Sequence, residues 1–283
     1  MTTADQPHRL IDDGHYLPTI KRHSIEKIRL HNRFAGIFSE GMHKKWPQRA
    51  YIGLYAGAGA ARVLDTAEVV ETSALAVHRQ GVPFTHHVYV EQEQQCVDAL
   101  RARLAQPDAI ESSHIIHGDV NSSAQLVLDA LPPFSLSKGL LSFCFVDPFD
   151  LTLKFSTIQA LSKLKMDMLV LLMLGVDGRR NFGKYLEDPE SRRIGDFIAS
   201  PNWRDEYLKL PGGRKPLKFL LDRFDQRMVE QGYLSAKQDL HRVKAHGKGV
   251  LLYLLAFYSR SAAGQKFWRE SRKGLDGQLG LLL

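Results

Sequence analysis

The chain has 283 residues, 44% of them hydrophobic, and its 38 Lys and Arg against 31 Asp and Glu leave a net charge of +7. That length supports one large core without disulfide or metal staples, and no apolar run approaches the ~20 residues that span a bilayer, so no membrane partner is expected. Two distant cysteines, Cys96 and Cys144, without metal-type spacing, and an N-terminus without a signal peptide's apolar block, point to a reducing, cytoplasmic setting and to no metal centre.

Leu30, Phe34, Ile37 and Phe38 share one face of a helix within residues 20–43, which predicts a helical extension over residues 1–48. From residue 50, apolar runs alternate with helical patterns. Strands are predicted at 51–55, 86–91, 113–119, 141–147 and 167–174, with helices at 74–80, 92–105, 121–131 and 156–164. Near-continuous Val, Ile and Leu in strands separated by crossover-length helices is the pattern of a parallel sheet covered on both faces. A Rossmann-like core is therefore expected over 49–175. Residues 176–232, charged and broken by Pro189, Pro201, Pro211, Gly212 and Gly213, read as a helical insertion. In 233–283, "YLSAKQDLHRV" and "GVLLYLLAFYS" predict a closing hairpin, followed by an amphipathic helix around Phe267 and Trp268. The whole is an α/β fold: seven strands, mostly parallel, with an antiparallel last strand and helices on both faces.

Ligands of an open parallel sheet bind beyond the carboxyl ends of its strands, and four segments end there with informative residues. In "GLYAGAGA", residues Tyr55, Ala56, Gly57 and Gly59 either let a ligand approach bare backbone or merely make a tight bend in a core. Glu91, ending "VYVE", can accept both hydroxyls of a ribose, or else cap the next helix. Asp119 in "HGDVN" can take an adenine amino group, although Asp119 or Asn121 equally suits a helix N-cap. Asp147, Pro148 and Phe149, in "FVDPF", put an acceptor, a stiff turn and an aromatic plate at the fourth tip. The basic cluster "GRRNFGKY", with Arg179 and Arg180, and Lys248 in "KAHGKG", are candidates for contact with nucleic acid, or simply solvated surface.

In this order the four segments resemble class I S-adenosylmethionine-dependent methyltransferases. More closely, "YIGLYAGAGAARV", "TSALAV", "VYVEQE", "GDVN", "FCFVDPFDL" and "LLYLLAFYSRSAAGQKFWRES" resemble the bacterial three-Cys-motif partner protein family over residues 20–273. The resemblance implies a methyltransferase-like sheet, S-adenosylmethionine as cofactor, and a companion protein carrying a three-cysteine motif that resembles radical S-adenosylmethionine enzymes. Two functions are compatible with it: methyl transfer to nucleic acid or a planar small substrate, or a non-catalytic, nucleic-acid-binding partner. The chain departs from the family at Gly53, where an acid is usual, and at Asp150, where Gly follows Asp-Pro-Phe. "DPF" also lacks the second proline of the Asp/Asn-Pro-Pro-aromatic motif of amino-methylating enzymes.

Overall fold

Side chains alternate between two cores along the central strands, and that alternation builds the molecule. The computed structural model describes residues 7–105, 113–133, 139–211, 215–245 and 249–273. Its first half runs β1 (Arg9–Leu10), β2 (Thr19–Ile20), α1 (His23–Met42), β3 (Gln48–Leu54), β4 (Ala60–Val63), β5 (Val69–Glu71), α2 (Ser73–Ala76), β6 (His86–Glu91), α3 (Gln94–Leu104), β7 (Ser113–His117) and α4 (Ala124–Asp129). Then come β8 (Leu140–Val146), α5 (Phe155–Leu161), β9 (Met166–Leu172), α6 (Arg179–Glu187), α7 (Arg193–Ile198), α8 (Trp203–Leu208), α9 (Pro216–Glu230), β10 (His241–Lys244), β11 (Leu251–Tyr258) and α10 (Ala262–Arg272). No helix among the described residues is long and apolar enough to cross a membrane.

Seven strands form one sheet in the order β10-β11-β9-β8-β3-β6-β7. The pairs from β9 to β7 are parallel, and β11 runs antiparallel to both β9 and β10. Even-numbered residues of β3 and β8, among them Ile52, Leu54, Cys144 and Val146, face one core, which they share with α5 and with Phe182, Phe197, Trp203 and Phe224 of the segment between β9 and β10. Odd-numbered Tyr51, Phe143 and Phe145 face the other, under Phe34 and Phe38 of α1 and Trp268 of α10. Both faces are therefore apolar, as a buried parallel sheet requires. This is the predicted Rossmann-like methyltransferase fold: seven strands with the last one antiparallel.

The connection from β3 leads outward to β6 and β7, whereas β8 returns to the opposite side of β3. The topological switch point, where open α/β sheets bind ligands, thus lies between β3 and β8. Leu54 stands level with Val90 on one side and Val146 on the other, so Tyr55, Glu91 and Asp147 leave neighbouring strands at one height.

A second sheet, in the order β1-β5-β4-β2, sits beside the glycine loop. It is where the chain between Val63 and Ser73 goes, and it ties that stretch to the N-terminal segment. Arg103 of α3 fastens the junction, donating to both carboxylate oxygens of Asp13 at 2.8 Å, to the Tyr16 carbonyl at 3.0 Å and to the Ala58 carbonyl at 2.6 Å. The expected first strand of the closing hairpin is shorter than its sequence pattern. Residues 235 and 236 turn instead on Asp225, which accepts from the Ser235 hydroxyl at 2.7 Å and the Ala236 N–H at 2.9 Å.

Candidate functional site

The glycine loop answers its two possibilities with two different glycines. Tyr55, Gly57 and Gly59 all have positive φ, at 63°, 68° and 82°. A Cβ on Gly59 would lie 2.9 Å from Leu75 Cγ and 3.0 Å from Leu100 Cδ1, so this glycine makes a tight bend against the core. A Cβ on Gly57 would meet nothing within 4 Å, so there the backbone borders open space. Ala56 is buried and its N–H donates to the Val90 carbonyl at 3.0 Å, pinning the loop to β6. The Tyr55 hydroxyl is buried, makes no hydrogen bond of normal geometry, and has Thr152 as its polar neighbour.

Glu91 is buried at the tip of β6 and turns toward this loop. Its Oε2 accepts the Gly57 N–H at 2.7 Å, and its Oε1 accepts the N–H groups of Gln92 at 2.8 Å and Glu93 at 2.9 Å. A carboxylate offers about four acceptor directions, so one is left for a ligand hydroxyl; a second opens if Gly57 lets go. Asp119, exposed beyond β7, holds an Asx turn by accepting the Asn121 N–H at 2.9 Å. The N-cap of α4 is Ser123, so neither Asp119 nor Asn121 serves as that cap. Asn121 instead staples two tips together. Its amide donates to the Thr152 carbonyl at 3.1 Å and its oxygen accepts the Lys154 N–H at 2.8 Å.

At the fourth tip the Asp147 N–H reaches the Leu54 carbonyl at 3.4 Å, across the switch point. Its carboxylate is paired with Lys27 of α1, Nζ to Oδ2 at 2.5 Å, with both side chains 17% exposed. Pro148 is buried and Phe149 stands 84% exposed, an aromatic plate open to solvent. Behind this turn, Asp177 is buried in the π turn Leu174–Gly178; it accepts the Leu151 N–H at 2.9 Å, the Asn181 amide at 2.6 Å and the Tyr185 hydroxyl at 2.8 Å. Asp177 thereby sets the path of the Asp-Pro-Phe loop. A lone acid closing an apolar run must find partners, a signal present in "LLMLGVDGRR". Lys27 carries no such signal, since a lysine in a helix reads as surface.

Gly53 and Asp150 each have a physical reason in their neighbours. A Cβ on Gly53 would lie 3.1 Å from the Tyr89 ring and 3.2 Å from the Tyr51 ring, so the room for an acidic side chain is filled by aromatic packing. Asp150 caps the Thr152 N–H at 2.9 Å and faces Arg193 of α7 at 3.6 Å.

Between these tips lies a hollow of about 290 Å³ lined by Tyr55, Gln92, Asp119, Asn121, Thr152 and Arg193, among others. Tyr55 and Asp119 line it; Gly57, Glu91 and Asp147 stand at the neighbouring tips but do not. Arg179 and Arg180 are exposed on the first turn of α6, beyond β9 at the same edge of the sheet. Lys248 lies outside the described residues.

Sheet order and switch point together define a Rossmann-like fold of the methyltransferase type. No protein-family model matches the chain, and no curated protein matches it. Among solved structures, the O-methyltransferase from Bacillus cereus in complex with SAH is similar at 11% identity, covering 79% of this chain and 80% of that one, with a TM-score of 0.43. The O-methyltransferase TomG from Streptomyces achromogenes, in complex with SAM, gives 12%, 85% and 90%, with a TM-score of 0.44. TYW2 from P. horikoshii, in complex with MeSAdo, gives 11%, 91% and 73%, with a TM-score of 0.43. The strand order itself, rather than these superpositions, defines the fold.

Proposed function

We propose that the chain binds S-adenosylmethionine across the switch point and transfers its methyl group to nucleic acid or to a planar small substrate, as a three-Cys-motif partner protein working beside a three-cysteine companion. The observation that carries this reading is the placement of Gly57, Glu91, Asp119 and Asp147 at the tips of four adjacent parallel strands, beside a hollow that Asp119 and Tyr55 line. Open space over Gly57 fits a nucleoside-bearing ligand, Tyr55 lines the adjoining hollow, and Glu91 retains one acceptor direction for a ribose. The cofactor supplies an activated methyl, so the chain's task is alignment, which recovers on the order of 7 to 11 kcal/mol of barrier without a dedicated acid or base. Phe149 offers a stacking surface to a planar acceptor, and Asp147 an oxygen to its amino or hydroxyl group.

A second reading, a non-catalytic partner that binds nucleic acid through Arg179 and Arg180, is favoured by one feature. Glu91 and Asp147 already hold partners within the chain, three backbone N–H groups on the one and Lys27 on Oδ2 of the other. Calorimetry separates the two. The methyltransferase reading expects dissociation constants on the order of micromolar for S-adenosylmethionine and for its demethylated product, lost in Glu91→Ala at an unchanged fold by circular dichroism. Absence of heat with both ligands overturns it. The second reading expects polyanion binding that weakens steeply with salt and in Arg179→Ala/Arg180→Ala.

A further inference from the structure

The first turns of α1 press on the carboxyl edge of the sheet at three places. The His23 carbonyl accepts the Tyr253 hydroxyl of β11 at 3.0 Å, Glu26 faces His241 of β10 at 2.8 Å, and Lys27 meets Asp147 beyond β8 at 2.5 Å. The last contact joins residues 120 apart in sequence, and it places an ammonium directly beside Asp147, the first acid after β8; Asp150, further along the same loop, faces Arg193 instead. A bare carboxylate there would attract any cation crossing between β3 and β8. With Lys27 in place the pair is neutral overall.

Resting on the S-adenosylmethionine reading above, we propose that the Lys27–Asp147 pair sets how strongly the site distinguishes a sulfonium from a neutral thioether. Lys27 cancels the attraction of Asp147 for the positive sulfur, so the charged cofactor and its uncharged demethylated product are held with comparable strength. Lys27 is thus a specificity-determining residue, acting through a carboxylate rather than by touching the reacting atoms.

On that reading the sulfonium crosses the switch point beside this pair, and removing one charge there, at the effective dielectric of a protein surface, changes the relative affinity for charged and uncharged ligands by about tenfold. The test is titration calorimetry of the full chain with S-adenosylmethionine and with S-adenosylhomocysteine, read as the ratio of the two dissociation constants. Lys27→Met is expected to move that ratio about tenfold toward the sulfonium, and Asp147→Asn to move it the other way. Lys27→Arg is expected to keep the wild-type ratio. The double variant Lys27→Met/Asp147→Asn leaves no unpaired charge to unfold the edge, and its expected ratio returns toward wild type. If the wild-type chain binds both ligands but the ratio in Lys27→Met and Asp147→Asn stays within about twofold, the charge-reading role is overturned while the cofactor reading stands. If the wild-type chain binds neither, both are overturned.

Discussion

At the scale of single residues, the two loop glycines separate stability from ligand room. Gly59→Ala forces a Cβ against Leu75 and Leu100 at a φ of 82°, so left-handed strain and overpacking add to a loss of about 3 kcal/mol. Gly57→Ala meets open space at a φ of 68° and is expected to lose only about 1 kcal/mol of stability, from backbone strain alone. Urea denaturation of the two variants checks this; equal losses would mean that the two glycines do the same job. The sequence showed both glycines but not their difference, because that depends on Leu75 and Leu100, brought in from other elements. The same holds for the acids. Glu91 and Asp147 were legible as strand-end carboxylates, whereas the N–H groups that fill one and the lysine that neutralises the other follow from tertiary approach.

At the scale of elements, the strands with strong apolar runs were legible. The strand at 86–91 has the predicted bounds, while β3 stops one residue short because Tyr55 turns into positive φ. The two-residue strands β1 and β2 were not legible, since a stretch that short has no period to read. Their ladders to β5 and β4 are backed by Arg103, which ties down the segment between them and whose guanidinium keeps the Asp13 carboxyl down at about 2, chiefly through its hydrogen bonds. Arg103→Ala removes the fork that joins Asp13, Tyr16 and the Ala58 carbonyl. The small sheet is then expected to open locally, raising amide hydrogen exchange at residues 9–20 and 60–71 about tenfold or more, with β8 and β9 unaffected. Lys at this position is a poor replacement because a single ammonium cannot reproduce the fork. Uniform exchange across both sheets would overturn the local role.

At the scale of the whole molecule, the α1 side of the sheet buries titratable rings, and that sets its tolerance of acid. Burial holds His31 and His78 at about 4 and His87 at about 2, with His78 and His87 stacked at 4.1 Å. Unfolded histidines take protons near 6.5, so below that value the unfolded chain binds more protons and stability falls with pH, by about 1 kcal/mol per pH unit for each histidine. Asp167, raised to about 6 by burial, works the other way between its folded value and its ordinary 3.8, offsetting one of the three. A net loss of about 2 to 3 kcal/mol per unit is expected from roughly pH 6 down to 4. Urea midpoints measured at pH 7.5 and 5 check it, and His87→Phe, which keeps a ring and removes a proton site, should flatten the slope. A separate consequence follows from the strand order. On a ribosome, β3, β6 and β7 emerge first and can pair as they appear, yet the other side of β3 waits for β8, which begins only at Leu140. Until then the middle of the future sheet presents a bare apolar edge, the kind of exposure that recruits chaperones, so synthesis of this chain is most vulnerable to aggregation between those two moments.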